Sequence, residues 1–131
     1  KLSWYNQIQN KEIMPLTSKN VEDLTLPLIV KPKIGLGPKR VFKCRNEADL
    51  EYALSRIEDP IFQEPLPGKE YTVDVLSDLE GGPLIAVARE RIEEKAGITY
   101  KGKIVFDEEI EGVCLDVAKE LNIKGPSCIQ L

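Results

Sequence analysis

The residues best suited to do chemistry sit close together: Lys31 follows the apolar run Leu28-Ile29-Val30, and Gly35, Gly37, Lys39 and Arg40 come soon after it. Two glycines let a backbone adopt positive φ and approach a bulky anion closely, and free N–H groups in such a loop form a concave anion site. Lys31, Lys39 and Arg40 supply the charge that phosphate oxygens demand, so a polyphosphate is the natural guest. A polar β-hairpin with a basic tip fits the same residues, and the loop taken alone does not separate the two readings. A Walker P-loop and a dinucleotide-binding turn do not fit, because no Lys-Ser/Thr pair closes the loop and no helix follows at once.

A second cluster runs from Gln63-Glu64-Pro65-Leu66 through Pro67-Gly68-Lys69-Glu70 to Tyr71-Thr72-Val73-Asp74. Its prolines keep the connector extended, leaving backbone groups near Glu64 and Leu66 able to hydrogen-bond the edge of a flat heterocycle. Glu70 follows where it can accept both hydroxyls of a ribose. A linker between lobes that carries surface acids accounts for these residues equally well.

Elements must hold these groups in place. Residues 1–11 carry Leu2, Tyr5 and Ile8 at helical spacing, and residues 14–17 read as an extended connector, with Asn20 a cap for a short turn. Residues 26–31 form a strand that Pro32 stops, and residues 41–44 restart extended structure after the glycine loop. Asn46 caps a helix to about residue 58, with Leu50, Ala53, Leu54 and Ile57 on one face. Residues 61–64 are a short strand. Residues 70–77 alternate, with Tyr71, Val73 and Val75 on one side and Glu70, Thr72 and Asp74 on the other, which predicts a half-buried strand. A turn at 78–83 leads into a strand over 84–91, residues 90–103 read as a mobile charged loop, and Ile104-Val105 is a brief strand. Asp107 opens a helix whose Ile110, Val113, Cys114, Val117, Ala118 and Leu121 keep apolar spacing, and a last strand starts at Ser127. The pattern predicts an α+β fold of two small lobes, residues 15–65 and 66–131, joined near Pro65 to Gly68.

Composition narrows the function. The 131 residues amount to one domain, 31% of them are charged, and the net charge of −4 lacks the basic bias of a nucleic-acid binder. Any phosphate ligand therefore needs a local basic site. With no histidine and three widely spaced cysteines, Cys44, Cys114 and Cys128, zinc centres and histidine-based catalysis are excluded and a reduced, cytoplasmic setting is expected. No apolar run approaches the roughly 20 residues of a membrane span, and neither a membrane span nor a signal peptide is expected from these residues. A start at Lys1 and a final strand interrupted at Leu131 predict a piece of a longer polypeptide.

Taken together, Leu28-Ile29-Val30-Lys31-Pro32 with Gly35-Leu36-Gly37, Gln63-Glu64 through Gly68-Lys69-Glu70-Tyr71-Thr72-Val73-Asp74, Arg91 with Ala96-Gly97-Ile98-Thr99, and Gly125-Pro126-Ser127-Cys128-Ile129-Gln130 resemble the ATP-grasp fold. The likeness is to the ATP-grasp domain of the carbamoyl-phosphate synthase large subunit and related carboxylate-amine ligases, and it covers nearly the whole chain. It implies two α+β lobes around a nucleotide cleft, truncated at the C-terminus. Lys31 would hold nucleotide phosphates, and the span Gly35, Leu36, Gly37, Lys39 and Arg40 would be a lid over them. Glu64 and Leu66 would meet adenine, Glu70 the ribose, and Thr99 would lie near the nucleotide. Lys1 matches a basic phosphate contact of the family. Gln130 matches a magnesium ligand, a role its carboxamide oxygen suits, although a plain strand residue fits there as well.

Two departures stand out. Arg40 occupies a position where relatives usually carry a further glycine, and Pro38 stiffens a loop expected to move. The family's principal magnesium carboxylates are expected beyond Leu131. The implied activity of the full protein is activation of a carboxylate or carbamate by ATP and Mg²⁺ as an acyl phosphate, followed by attack of an amine, and the 131-residue piece alone is expected to be inactive. Expected partners are ATP, a small carboxylate or amine substrate and other domains or subunits of a larger synthase, without nucleic acid or membrane. A ligase for another carboxylate-amine pair and a non-catalytic nucleotide-binding scaffold remain the alternatives.

Overall fold

Alternating apolar residues in the first half of the chain build one antiparallel sheet and those in the second half another, and the chain divides accordingly into two units, Lys1–Pro67 and Gly68–Leu131. The computed structural model describes residues 2–35, 40–95 and 98–131, those at 2–4, 94 and 98 by their backbone alone. No helix among the described residues is long and apolar enough to cross a membrane.

The first unit contains α1 (Leu2–Gln7), β1 (Thr17–Ser18), β2 (Leu28–Pro32), β3 (Phe42–Cys44), α2 (Glu47–Leu54) and β4 (Pro60–Gln63), and its sheet has the order β1-β4-β2-β3. Because side chains alternate along a strand, Leu28, Val30, Cys44 and Phe62 all face the same way and pack with Ala53 of α2 and with Ile57. The larger of these, Leu28, Val30, Ile57 and Phe62, contribute roughly 1.5–3 kcal/mol each by leaving water. The alternate positions Ile29, Lys31 and Gln63 belong to the opposite face. Asn46 starts α2 by accepting the Asp49 N–H at 2.9 Å, while the Asp49 carboxylate accepts the Arg45 N–H at 2.9 Å, so two orphan donors at the helix entry are satisfied.

Several sequence expectations shift here. Thr17, the last residue of the expected connector, forms an edge strand with Ser18 because β4 offers them a ladder partner from far along the chain. Pro32 is the last residue of β2, paired with Pro60, and the two residues without an N–H share the end of the ladder where a missing donor costs least. Helix α2 stops at Leu54, which is left exposed, and Ile57 is buried from beyond the helix end. Asn20 precedes a 3-10 turn at Val21–Asp23 but makes no side-chain cap.

The second unit contains β5 (Tyr71–Ser77), β6 (Pro83–Lys95), β7 (Ile98–Val105), α3 (Glu108–Glu120) and β8 (Gly125–Gln130), with the sheet order β7-β6-β5-β8. Val73, Val75, Ala86 and Ala88 present one apolar face to Cys114 and Ala118 of α3. The helix starts at Asp107, whose carboxylate accepts the N–H groups of Glu109 and Ile110 at 3.1 Å each. The expected mobile loop over 90–103 is instead mostly a two-stranded extension, in which Glu93 lies opposite Lys101 and Glu94 opposite Thr99, with irregular register around Glu93. Its charges are paired across the strands: Lys101 Nζ reaches Glu93 at 2.9 Å and the Tyr100 hydroxyl donates to the same carboxylate, which holds Glu93 below the usual carboxylate range, with the Tyr100 bond as the larger cause.

Candidate functional site

Lys31 sits near the end of β2 on the sheet face opposite the core, where its Nζ donates to Gln63 Oε1. Ladder register explains the meeting. Gln63 stands directly across from Ile29, so Lys31 is its diagonal neighbour on the same face, within reach of a long side chain. On the other side Gln63 stands across from Thr17 and donates from Nε2 to Thr17 Oγ1 at 2.8 Å.

Of the expected lid, Gly35 is exposed and Arg40 is an exposed turn residue, whereas Leu36, Gly37 and Lys39 lie outside the described residues, as does Lys1. Arg40 has φ 61, the left-handed region that a side chain disfavours and a glycine accepts freely. Here the sequence departure and the backbone geometry coincide.

Glu64 is bound to the segment before β1: its N–H donates to the Leu16 carbonyl at 3.0 Å, and its Oε1 accepts the Leu16 N–H at 2.7 Å. The expectation that backbone groups near Glu64 are unpaired therefore fails for its N–H. The edge-strand pairing extends one residue past β4 and consumes that donor. Leu66 is exposed.

In the second unit one carboxylate oxygen is the meeting point. Glu70 Oε2 lies 3.4 Å from Arg91 Nε and accepts from Gln130 Nε2 at 3.2 Å. The Glu70 and Arg91 backbones are joined by a 2.8 Å hydrogen bond, and Arg91 Nη1 lies 3.5 Å from Thr72 Oγ1. Arg91 is the inner member, with its side chain 11% exposed against 57% for Glu70. Beside it is a depression of about 370 Å³ lined by Thr72, Arg89, Glu90, Arg91, Thr99, Tyr100 and Gly102. Thr99, one of the lining residues, has a buried hydroxyl without a hydrogen-bond partner. Glu70, Thr99 and Gln130, expected in separate roles, thus all belong to the neighbourhood of Arg91, which the resemblance named without giving it a role. Gln63 and Thr17 carried no chemical signal of their own, although the period-two spacing of a short strand puts Gln63 on one face with Ile61.

The residues present do not by themselves fit a magnesium site. Among the described residues no group of three or more acidic, cysteine or histidine side chains could hold a metal. Gln130 offers one neutral oxygen, and Glu70 Oε2 is already engaged by Arg91 and Gln130.

The family model for the ATP-grasp domain matches residues 1–131. The chain belongs to the ATP-grasp family. Within it, the chain is 33% identical over 64 residues to a D-alanine–D-alanine ligase of Fusobacterium nucleatum subsp. nucleatum, a match covering 48% of this chain and 22% of that protein. The ATP-grasp fold is shared with an N5-carboxyaminoimidazole ribonucleotide synthetase solved as an ADP complex, at a TM-score of 0.73 and 20% identity over 98% of this chain and 39% of that one. It is also shared with the biotin carboxylase domain of the Hydrogenobacter thermophilus 2-oxoglutarate carboxylase, solved with MgADP, ADP and bicarbonate, at a TM-score of 0.68 and 18% identity over 83% of this chain and 28% of that one. The chain spans well under half the length of each of these ATP-grasp relatives.

Proposed function

We propose that this chain is the nucleotide-binding portion of an ATP-dependent ligase that activates a carboxylate or carbamate as an acyl phosphate, with Mg·ATP as phosphoryl donor. The observation that carries this reading is Lys31: a cation near a strand end, turned away from the core and held by a directional partner, in a chain of the ATP-grasp family. Lys31 draws in the triphosphate and neutralises its charge, with Gly35, Leu36, Gly37, Lys39 and Arg40 as the covering loop. The adenine edge meets the Glu64 carbonyl and the Leu66 N–H, since the Glu64 N–H is taken by Leu16. Glu70 accepts the ribose hydroxyls, and Thr99 and Gln130 lie toward the nucleotide.

In the reaction an acid oxygen attacks the γ-phosphorus, the bond from that phosphorus to the β–γ bridging oxygen breaks, and ADP leaves. An amine then adds to the acyl carbon, loses a proton, and phosphate departs. Such chemistry asks the protein for positioning and charge neutralisation rather than a nucleophilic side chain, so the lack of histidine is no obstacle. The motif pattern favours a carbamoyl-phosphate-synthase-like enzyme with other domains or subunits. The identity to a D-alanine–D-alanine ligase supports a second reading, a ligase joining another carboxylate-amine pair. A cytoplasmic setting accords with the free thiols of Cys44, Cys114 and Cys128.

Calorimetric titration with Mg·ATP tests the shared part of these readings. Loss of a charge-assisted phosphate contact in Lys31→Ala should weaken binding roughly 10- to 100-fold. An affinity indifferent to Lys31 would overturn the assignment.

A further inference from the structure

Thr17 is one of few polar residues buried among the described ones, 8% exposed, and it is far in sequence from anything the proposed reaction uses. Its hydroxyl has a single proton, and that proton is committed: Thr17 Oγ1 donates to the Pro15 carbonyl at 2.9 Å. The oxygen can then only accept, and it accepts Gln63 Nε2–H at 2.8 Å. An amide whose nitrogen is fixed on one side has its oxygen fixed on the other, and that oxygen is the one Lys31 Nζ donates to. Lysine has no acceptor, so if the Gln63 amide turned over it would set its N–H group against the ammonium and its carbonyl oxygen against a Thr17 oxygen whose one proton is already committed. The direction of every bond follows from one buried proton.

We propose that Thr17 and Gln63 are positioning residues that aim the Lys31 ammonium at the nucleotide phosphates, through a one-way relay running from the Pro15 carbonyl to Lys31 Nζ. The proposal rests on the reading of Lys31 as the phosphate-binding cation. Orientation matters because an ammonium on a four-carbon stem otherwise spreads over many rotamers, and ordering it in advance removes part of that entropic cost from nucleotide binding. A neutral hydroxyl and a neutral amide achieve this without lowering the positive charge that the phosphates meet, whereas a carboxylate partner would offset it. The edge strand β1, too short to add much to the sheet, gains a reason to exist: it delivers one hydroxyl.

The test is a double-mutant cycle read by Mg·ATP affinity. Thr17→Val keeps the volume and the strand preference but removes the proton and the acceptor; it should weaken Mg·ATP binding roughly three- to tenfold. Thr17→Ser, which restores the hydroxyl, should recover the parent affinity. In a Lys31→Ala background Thr17→Val should change nothing further, because there is no ammonium left to aim. Should Thr17→Val fail to give the parent circular dichroism spectrum, Gln63→Leu reports on the same relay with the same expected loss and the same silence without Lys31. An equal loss in both backgrounds would mean that Thr17 merely holds the sheet edge, and an unchanged affinity in the folded single variants would mean the relay does not act on Lys31; either result overturns the proposal. If Lys31→Ala itself leaves Mg·ATP binding intact, the fault lies with the nucleotide reading, and the relay falls with it.

Discussion

The two units solve the same problem, holding a charged side chain on the sheet face turned away from the packed helix, with opposite chemistry. In the first, Lys31 donates to the neutral amide of Gln63, whose donor and acceptor sense is set by the buried Thr17. In the second, Glu70 is held by an ion pair to Arg91 and a hydrogen bond from the Gln130 amide that meet at one oxygen, with Glu70 itself half in solvent. Neutral relays are directional and insensitive to salt, whereas an exposed ion pair is screened and tolerates many geometries. The contrast teaches where to look for the residue that carries the cost of each arrangement. In the first unit it is the deepest hydroxyl. In the second it is the arginine, because Arg91 is the member removed from water.

The largest effect should come from separating those two members. Arg91→Ala removes a nearly buried guanidinium with its packing and leaves the Glu70 and Thr72 oxygens without that partner, which should lower unfolding stability by about 1–3 kcal/mol. Glu70→Ala, at the wetter end, should cost less than about 1 kcal/mol of stability. Urea unfolding of both variants decides the matter, and equal losses would remove burial as the ordering principle.

The two cores offer a second comparison, since each contains one buried thiol. Burial pushes Cys114 from the usual 9.0 up to about 11, and Cys44 is also raised, by burial first and by the nearby Asp49 carboxylate second. A thiol whose folded pKa exceeds its unfolded value binds more protons in the folded state between the two, so stability is complete below about pH 9 and falls as pH rises toward 11. At roughly 1.4 kcal/mol per pKa unit the part due to Cys114 is on the order of 3 kcal/mol. Thermal melts across this range should flatten more in Cys114→Ala than in Cys44→Ala. A reversed ranking would place the drier core in the first unit.

What could be read from the chain was whatever repeats locally. The alternation over residues 70–77 declared both the buried Val73 and Val75 and the opposite Thr72 and Asp74, and Asp107 announced its helix, because each signal is completed within a few residues. The ATP-grasp fold was legible from a handful of such stretches. The extension at 90–103 was not, since its charges look solvated until Glu93 finds Tyr100 and Lys101 across a hairpin. Nor was the company kept by the candidate site residues. Gln130 meets Glu70 across 60 positions and Gln63 meets Thr17 across 46, and no local pattern encodes a partner that far away.

The smallest effect is also the best controlled. Arg89 lies two residues before Arg91 on β6 and on the same face of the sheet, and it too has a carboxylate partner, Asp74, at 2.9 Å. That distance is shorter than the 3.4 Å between Arg91 and Glu70, so contact distance alone would rank the Arg89 pair as the stronger. Both its members are about half exposed, 48% and 54%, so each trades its neighbour for water at little loss and the attraction is screened. Asp74→Asn should therefore shift stability by no more than about 0.5 kcal/mol, and raising the salt concentration should erase even that. If Asp74→Asn instead matched Arg91→Ala, distance rather than dehydration would be setting the worth of an ion pair on this sheet, and the contrast between the two units would lose its physical basis.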